Sequence, residues 1–344
     1  MKHSKLNLLF YFLIFAVTNS FATDFIPPQL IENSNPKGVQ ETYNGSRIEG
    51  WTLLNYVVDK KGLPKHIEIV NASSNDKYTE DSITYLKNHK FSPATQNGEK
   101  TLSAHSFFMQ HNKTVQHTPN EGLSVGFSLR YDRAKKFMFE KNFEETLNVL
   151  NQLRDSNAKN LAEQALSAWL HSIYYYHQKD WFAYRDNLLE AYQLRKYLPL
   201  DMAIKSTQNL MQWQSYQHAY SDAVKTLASI EHIKDAKIDA DSTKEALKSL
   251  VDSIDNNAVN EIKTTLSKGK AWLHTLPRSI ISLSTVSGEI ELAELRCKNA
   301  WHPFESIEVK SFTIPDSYIN CSILVKGKAG TEITFIEQGE LREF

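Results

Sequence analysis

The residues best equipped for chemistry are three histidines and two cysteines, and their spacing limits what they can do. His105, His111 and His117 recur every six residues. Two of them can share a metal ion only where the chain folds back on itself, so they read as polar strand and loop residues. Cys297 and Cys321 stand 24 residues apart in β-like sequence and form no Cys-x-x-Cys pair. In an oxidising compartment they read as one structural disulfide, a loop closure of about 3 kcal/mol in the chain-entropy account; two buried free thiols are the alternative. The chain has no His-Glu-x-x-His, no Gly-x-Ser-x-Gly, no Gly-x-Gly-x-x-Gly and no phosphate-cradling loop. The expectation is a protein with no catalytic residues, no metal, no cofactor and no small-molecule substrate. A hydrolase with an unpatterned site is the alternative.

Charge points the same way. The 344 residues carry 39 basic against 40 acidic side chains, so there is no basic excess for nucleic acid. The composition is globular, 41% apolar and 23% charged. The first residues form a targeting segment. Lys2, His3 and Lys5 precede an apolar run over 6–17, and Ser20-Phe21-Ala22 puts small residues where a signal peptidase inspects. Residues 1–22 read as a signal peptide with the mature chain starting at Thr23, a retained inner-membrane anchor being the alternative. The apolar run falls short of the ~20 residues of a stable span. No Cys follows the cleavage site, so a lipoprotein is not expected.

The elements that would position any site change period three times. Residues 51–59 alternate with apolar side chains on both faces: Trp51, Leu53 and Val57 on one, Leu54, Tyr56 and Val58 on the other. Such a strand lies between a helix and another layer. Asp59-Lys60-Lys61-Gly62 reads as a hairpin turn, and 65–70 as the return strand with Ile67 and Ile69 on one side. Thr79 reads as a helix N-cap, with Glu80 and Asp81 in the first turn, Lys87 and Lys90 in the last, and Ile83 and Leu86 inward. Pro93 ends that element, and 101–110 reads as a third strand.

This order resembles the C-terminal domain of TonB-type energy transducers over residues of about 36–112. The residues that carry the likeness are Glu49, Gly50, Trp51, Asp59, Gly62, Phe91, Pro93 and Ala94. The resemblance implies a two-layer α/β domain over 23–118 that contacts envelope proteins, and a Gram-negative periplasmic location. It also implies an edge strand open to an added partner strand, here Thr101, Ser103, His105, Phe107 and Met109. The chain departs from a transducer in three ways. Its leader looks cleavable, its 10 prolines are scattered rather than gathered in a spacer, and more than 200 residues follow the domain. A membrane-anchored transducer for outer-membrane transport therefore stands as the alternative to a scaffolding protein with a protein partner.

From 124 to 273 the period becomes helical, with a repeat at about 38 residues. Lys141-Asn142-Phe143, Lys179-Asp180-Trp181 and His218-Ala219-Tyr220 each open the second helix of a pair. The region resembles degenerate tetratricopeptide repeats, with Asn142, Asp180 and Ala219 where a tight-turn glycine would stand. Of Tyr174, Tyr175 and Tyr176, one ring must face outward, because three consecutive residues sweep about 200° of a helix. From 275 to 344 alternation returns, with strands expected at 279–286, 289–295, 306–312, 318–325 and 331–337. The fold class expected is multidomain α+β: a two-layer α/β domain, an all-α repeat, and a small all-β domain stapled by the disulfide.

Overall fold

The computed structural model describes residues 24–31, 49–73, 76–111, 122–237, 239–256, 259–305 and 308–344. The leader, its cleavage site and His117 lie outside the described residues. The chain mixes helices and antiparallel sheets, with the helices in the middle and strands at the C-terminal end.

The first unit contains β1 (Phe25–Ile26), β2 (Gly50–Val58), β3 (Pro64–Ala72), α1 (Asp76–Lys87), β4 (Ala94–Gln96), β5 (Glu99–Thr101) and β6 (Ser103–His111). Its main sheet runs β3-β2-β6, antiparallel throughout. The hairpin turn closes because Asp59 accepts from the backbone of Lys61 at 2.8 Å and of Leu63 at 2.9 Å. Gly62 takes φ +81°, and a Cβ there would sit 1.8 Å from the Phe91 carbonyl oxygen. The Phe91 N–H in turn donates to Gly62 O at 2.8 Å, so the turn and the Phe-Ser-Pro-Ala segment hold each other. Gly50 serves a different need: a Cβ would lie 2.2 Å from the Tyr78 ring. Helix α1 begins at Asp76, so Thr79 lies inside it rather than capping it. Tyr78, seated over Gly50 and 4.7 Å from the His111 ring, anchors that first turn. The chain's own residues 24–31 run back along 90–97, with Leu30 bridging Phe91 and β1 pairing β4.

Among the described residues seven α-helices follow: α2 (Val125–Phe139), α3 (Phe143–Gln152), α4 (Leu161–Gln178), α5 (Trp181–Gln193), α6 (Leu200–Tyr216), α7 (Tyr220–Ala228) and α8 (Ala240–Asn256). Three turns, α2–α3, α4–α5 and α6–α7, share one geometry. Lys141, Lys179 and His218 take φ of 58°, 57° and 61°. The next N–H in each returns to a carbonyl five residues back: Asn142 to Phe137, Asp180 to Tyr175, Ala219 to Gln214. Each is a Schellman motif. The left-handed position is therefore Lys141, Lys179 and His218, one residue before the expected Asn142, Asp180 and Ala219. Asn142 and Asp180 instead cap the following helix through their side chains.

The last unit holds β7 (Val259–Thr265), β8 (Trp272–Thr275), β9 (Arg278–Ser287), β10 (Ile290–Arg296), β11 (Trp301–Pro303), β12 (Val309–Thr313), β13 (Ser322–Gly327) and β14 (Glu332–Leu341). They form two four-stranded sheets, β12-β9-β14-β7 and β11-β10-β13-β8. Ile281, Leu283, Ile323, Val325, Ile333 and Phe335 belong to one buried cluster with the Cys297–Cys321 disulfide. The helical run ends at Asn256, short of the expected 273, and strands begin at Val259. Asn260 is buried in β7 and polar, and this hid the alternation.

The two faces of β2 explain how the units meet. Leu54, Tyr56 and Val58 pack with Leu86 of α1. On the other face, Trp51, Leu53 and Phe108 join the core of the helical array. Asn55, on that same face, accepts a hydrogen bond from Arg296 of β10 at 2.7 Å. The first unit therefore touches both others, and the helices do not separate the ends of the molecule.

Candidate functional site

Two features offer chemistry to a partner: the free edge of β6 and a cleft where all three units meet.

The edge follows from hydrogen-bond parity. Sheet order leaves β6 outermost. The Ala104 N–H donates away from β2, to Cys297 O at 2.9 Å. Residues of an antiparallel strand alternate in direction, so Ala104, Ser106, Phe108 and Gln110 point their backbone groups outward. Ser103, His105, Phe107, Met109 and His111 point theirs at β2. This corrects the expected edge set. Ser103, His105, Phe107 and Met109 share the strand but spend their backbone on its own sheet. Thr101 belongs to β5 and donates its hydroxyl to Asn299 O at 2.6 Å. Among the described residues, the outward N–H groups of Ser106, Phe108 and Gln110 have no backbone partner. The Gln110 side chain meets Lys196 at 2.6 Å and the Tyr197 hydroxyl at 3.1 Å, which marks one end of the open stretch. Cys297 marks the other.

The motif residues serve the scaffold. Glu49 is buried, and its carboxylate accepts from the Leu161 N–H at 2.9 Å while its carbonyl accepts from Gln164 at 2.7 Å. It supplements the Asn160–Glu163 capping box at the start of α4. Ala94 is fully buried. The histidines stay apart: His105 meets Ser103 at 2.7 Å and His111 meets Ser82 at 2.9 Å. Burial, with Lys298 nearby, holds His105 below its ordinary value, and burial does the same to His111. Among the described residues, no three His, Cys, Asp or Glu side chains are placed to hold a metal. No helix of the described residues is long and apolar enough to cross a membrane.

The cleft measures about 370 Å³ and is lined from all three units: Leu53 and Asn71, then Trp181, Trp213 and Gln214, then Trp272, among others. One wall is aromatic. Trp181, Phe182, Trp213 and Tyr216 line it, Trp213 stacking on Trp181 at 6.0 Å with 23° between planes, while Tyr176 and Tyr184 pack against Trp181 from outside the lining, at 5.9 and 6.3 Å. Tyr176 supplies the expected outward ring at 54% exposure. Beside these rings the lining is polar. Arg185 bonds Asp186, Thr264, the Thr265 carbonyl and Ser267, and lies 4.8 Å over the Phe182 ring. It joins α5 to the sandwich. Gln214 Oε1 is shielded from solvent and finds no donor among the described residues, an omission that costs about 1–3 kcal/mol.

Beside the cleft, α7 meets the sandwich through buried charge. His274 Nδ1 lies 2.7 Å from Asp222 and Nε2 lies 3.5 Å from Glu337. Burial alone would lower the imidazole, but the two carboxylates outweigh it and push it up to about 10. Burial would raise Asp222, but the imidazolium, its hydrogen bond and the Thr275 N–H hold the carboxyl below its ordinary value. Sequence reading missed Arg185, Gln214, Asp222 and His274. Asp222 and His274 pair across 52 residues, Arg185 reaches Thr264, Thr265 and Ser267 on another unit, and Gln214 makes no side-chain bond, so no local spacing announces them.

Neither a known protein family nor a curated protein matches this chain.

Proposed function

We propose that this chain is a non-catalytic protein-binding or scaffolding component of the bacterial envelope. In this reading the β3-β2-β6 unit is a TonB C-terminal-like domain, the helical hairpins are tetratricopeptide-like, and β6 takes up an extended segment of a protein partner. The observation that carries it is the unpaired outward backbone at Ser106, Phe108 and Gln110. Strand addition uses those groups for affinity and neighbouring side chains for choice of partner. The disulfide supports an exported protein, since such bonds persist in oxidising compartments. N-terminal sequencing of the mature protein tests export, with a start at Thr23 expected.

Parity makes the binding test specific. Proline at Ser106 removes an outward N–H and leaves the β2 ladder intact, whereas proline at Phe107 removes a ladder bond. A partner captured from envelope extract and identified by mass spectrometry should bind Ser106→Pro at least tenfold more weakly than Ser106→Ala, which shares the loss of the Asn55–Ser106 hydrogen bond (3.1 Å) but keeps the outward N–H. Equal binding by the two variants overturns the edge as the site.

A further inference from the structure

The junctional cleft has a chemistry that β6 lacks. Its aromatic wall is reachable: Trp181 is 44% exposed, and Tyr216, 75% exposed, lies tilted 5.9 Å from Trp213. Such faces pack against the C–H faces of ring-shaped polar molecules. The other groups on offer are carboxamides. Among the described residues the side chains of Gln193, Gln214 and Gln217 have no hydrogen-bond partner, and the Gln214 acceptor is shielded from water. A carboxamide presents an acceptor beside two donors, which suits hydroxyls that both give and receive.

Charge is nearly all committed. Arg185 spends its donors on Asp186, Thr264, Thr265 and Ser267. Asp186 also accepts from Ser267 at 2.7 Å, Asp222 is held by His274, and Lys263 by Glu261. Lys270 is the one lining residue whose charge has no ion pair among the described residues. An anion would meet a single ammonium, and a cation no uncommitted carboxylate. The volume, about 370 Å³, falls at the small end of the range for small-molecule sites.

We propose that this cleft is a second binding site, separate from the β6 edge, for a neutral hydroxyl-rich ligand of the saccharide class, stacked on Trp181 and Trp213 and hydrogen-bonded by the partly exposed carboxamides of Gln193 and Gln217. The proposal shares no residue with the edge, so either can fail alone.

The test titrates the full chain with maltotriose, cellotriose and chitotriose, read by tryptophan fluorescence and by calorimetry. At least one sugar should saturate with a Kd of about 1 mM or tighter. Trp181→Ala should weaken it at least tenfold. Gln217→Leu should do the same with the melting temperature unchanged, because that side chain bonds nothing else among the described residues; this second variant keeps the test valid if Trp181→Ala does not fold. The idea is overturned if none of the three sugars saturates, if both variants bind as the wild type does, or if a proline-rich peptide saturates the cleft and the sugars do not.

Discussion

Two of the three junctions between the units are built from different chemistry. Where the first sheet meets the helices, the contact is apolar: Trp51 is fully buried, with the Phe108 ring 5.7 Å away. Where α7 meets the sandwich, the contact is ionic, with His274 fully buried between Asp222 and Glu337 and Lys225 donating to Thr275 at 3.0 Å. The apolar contact gains from excluding water, and neither Trp51 nor Phe108 titrates. The ionic one holds only while its protons are correctly placed. Of these two seams one is tied firmly and the other conditionally, and the cleft opens beside the conditional one.

The sharpest way to break this contrast is Trp51→Ala. Emptying that site should cost about 4 kcal/mol, read by denaturant unfolding, and the loss should be the same at pH 6.5 and pH 9.5. A loss that changes over that interval would show that the seam is not purely apolar.

His274→Gln should cost about 3 kcal/mol near neutral pH, the order expected when one member of a buried ionic cluster is removed. The sign of its pH dependence is fixed. The folded value of about 10 lies above the ordinary 6.5. The wild type therefore holds the full contribution below pH 6.5 and loses it as pH rises toward 10. Asp222, held low, contributes above its ordinary value and loses that as pH falls through its folded one. Melting curves of wild type and His274→Gln should converge between pH 6.5 and 10.

Glu49→Ala tests the polar rim of the apolar seam. It leaves the Leu161 N–H unpaired where no water reaches, a loss of about 2 kcal/mol. Hydrogen exchange should report it first in the opening turn of α4. The smallest effect expected lies outside both seams: Lys179→Gly should raise stability by about 1 kcal/mol, because a lysine at φ 57° pays for a conformation glycine adopts freely. Thermal melting would check it.

These sites also mark how far the sequence could be read. Local chemistry was legible: the Asp59–Gly62 turn, the apolar double face of β2 and the repeated turns all depend on residues within a few positions. The edge strand was found but its parity was not, because alternation is set by which neighbour takes the first bond, and that neighbour, Cys297, lies nearly 200 residues on. β7 was missed because Asn260 fills an inward position, where it bonds Glu337 and the His218 carbonyl rather than apolar neighbours. The cleft was invisible because Leu53, Trp213 and Trp272 become neighbours only once three units have packed.

The buried second face of β2 also bears on how the protein can be divided for experiment. A fragment cut at His111 would keep its hairpin turn and α1, yet expose Trp51, Leu53 and Phe108 as one contiguous apolar patch. Patches of that kind drive self-association, so clumping of the isolated piece in solution would report a missing intramolecular neighbour rather than a native oligomer.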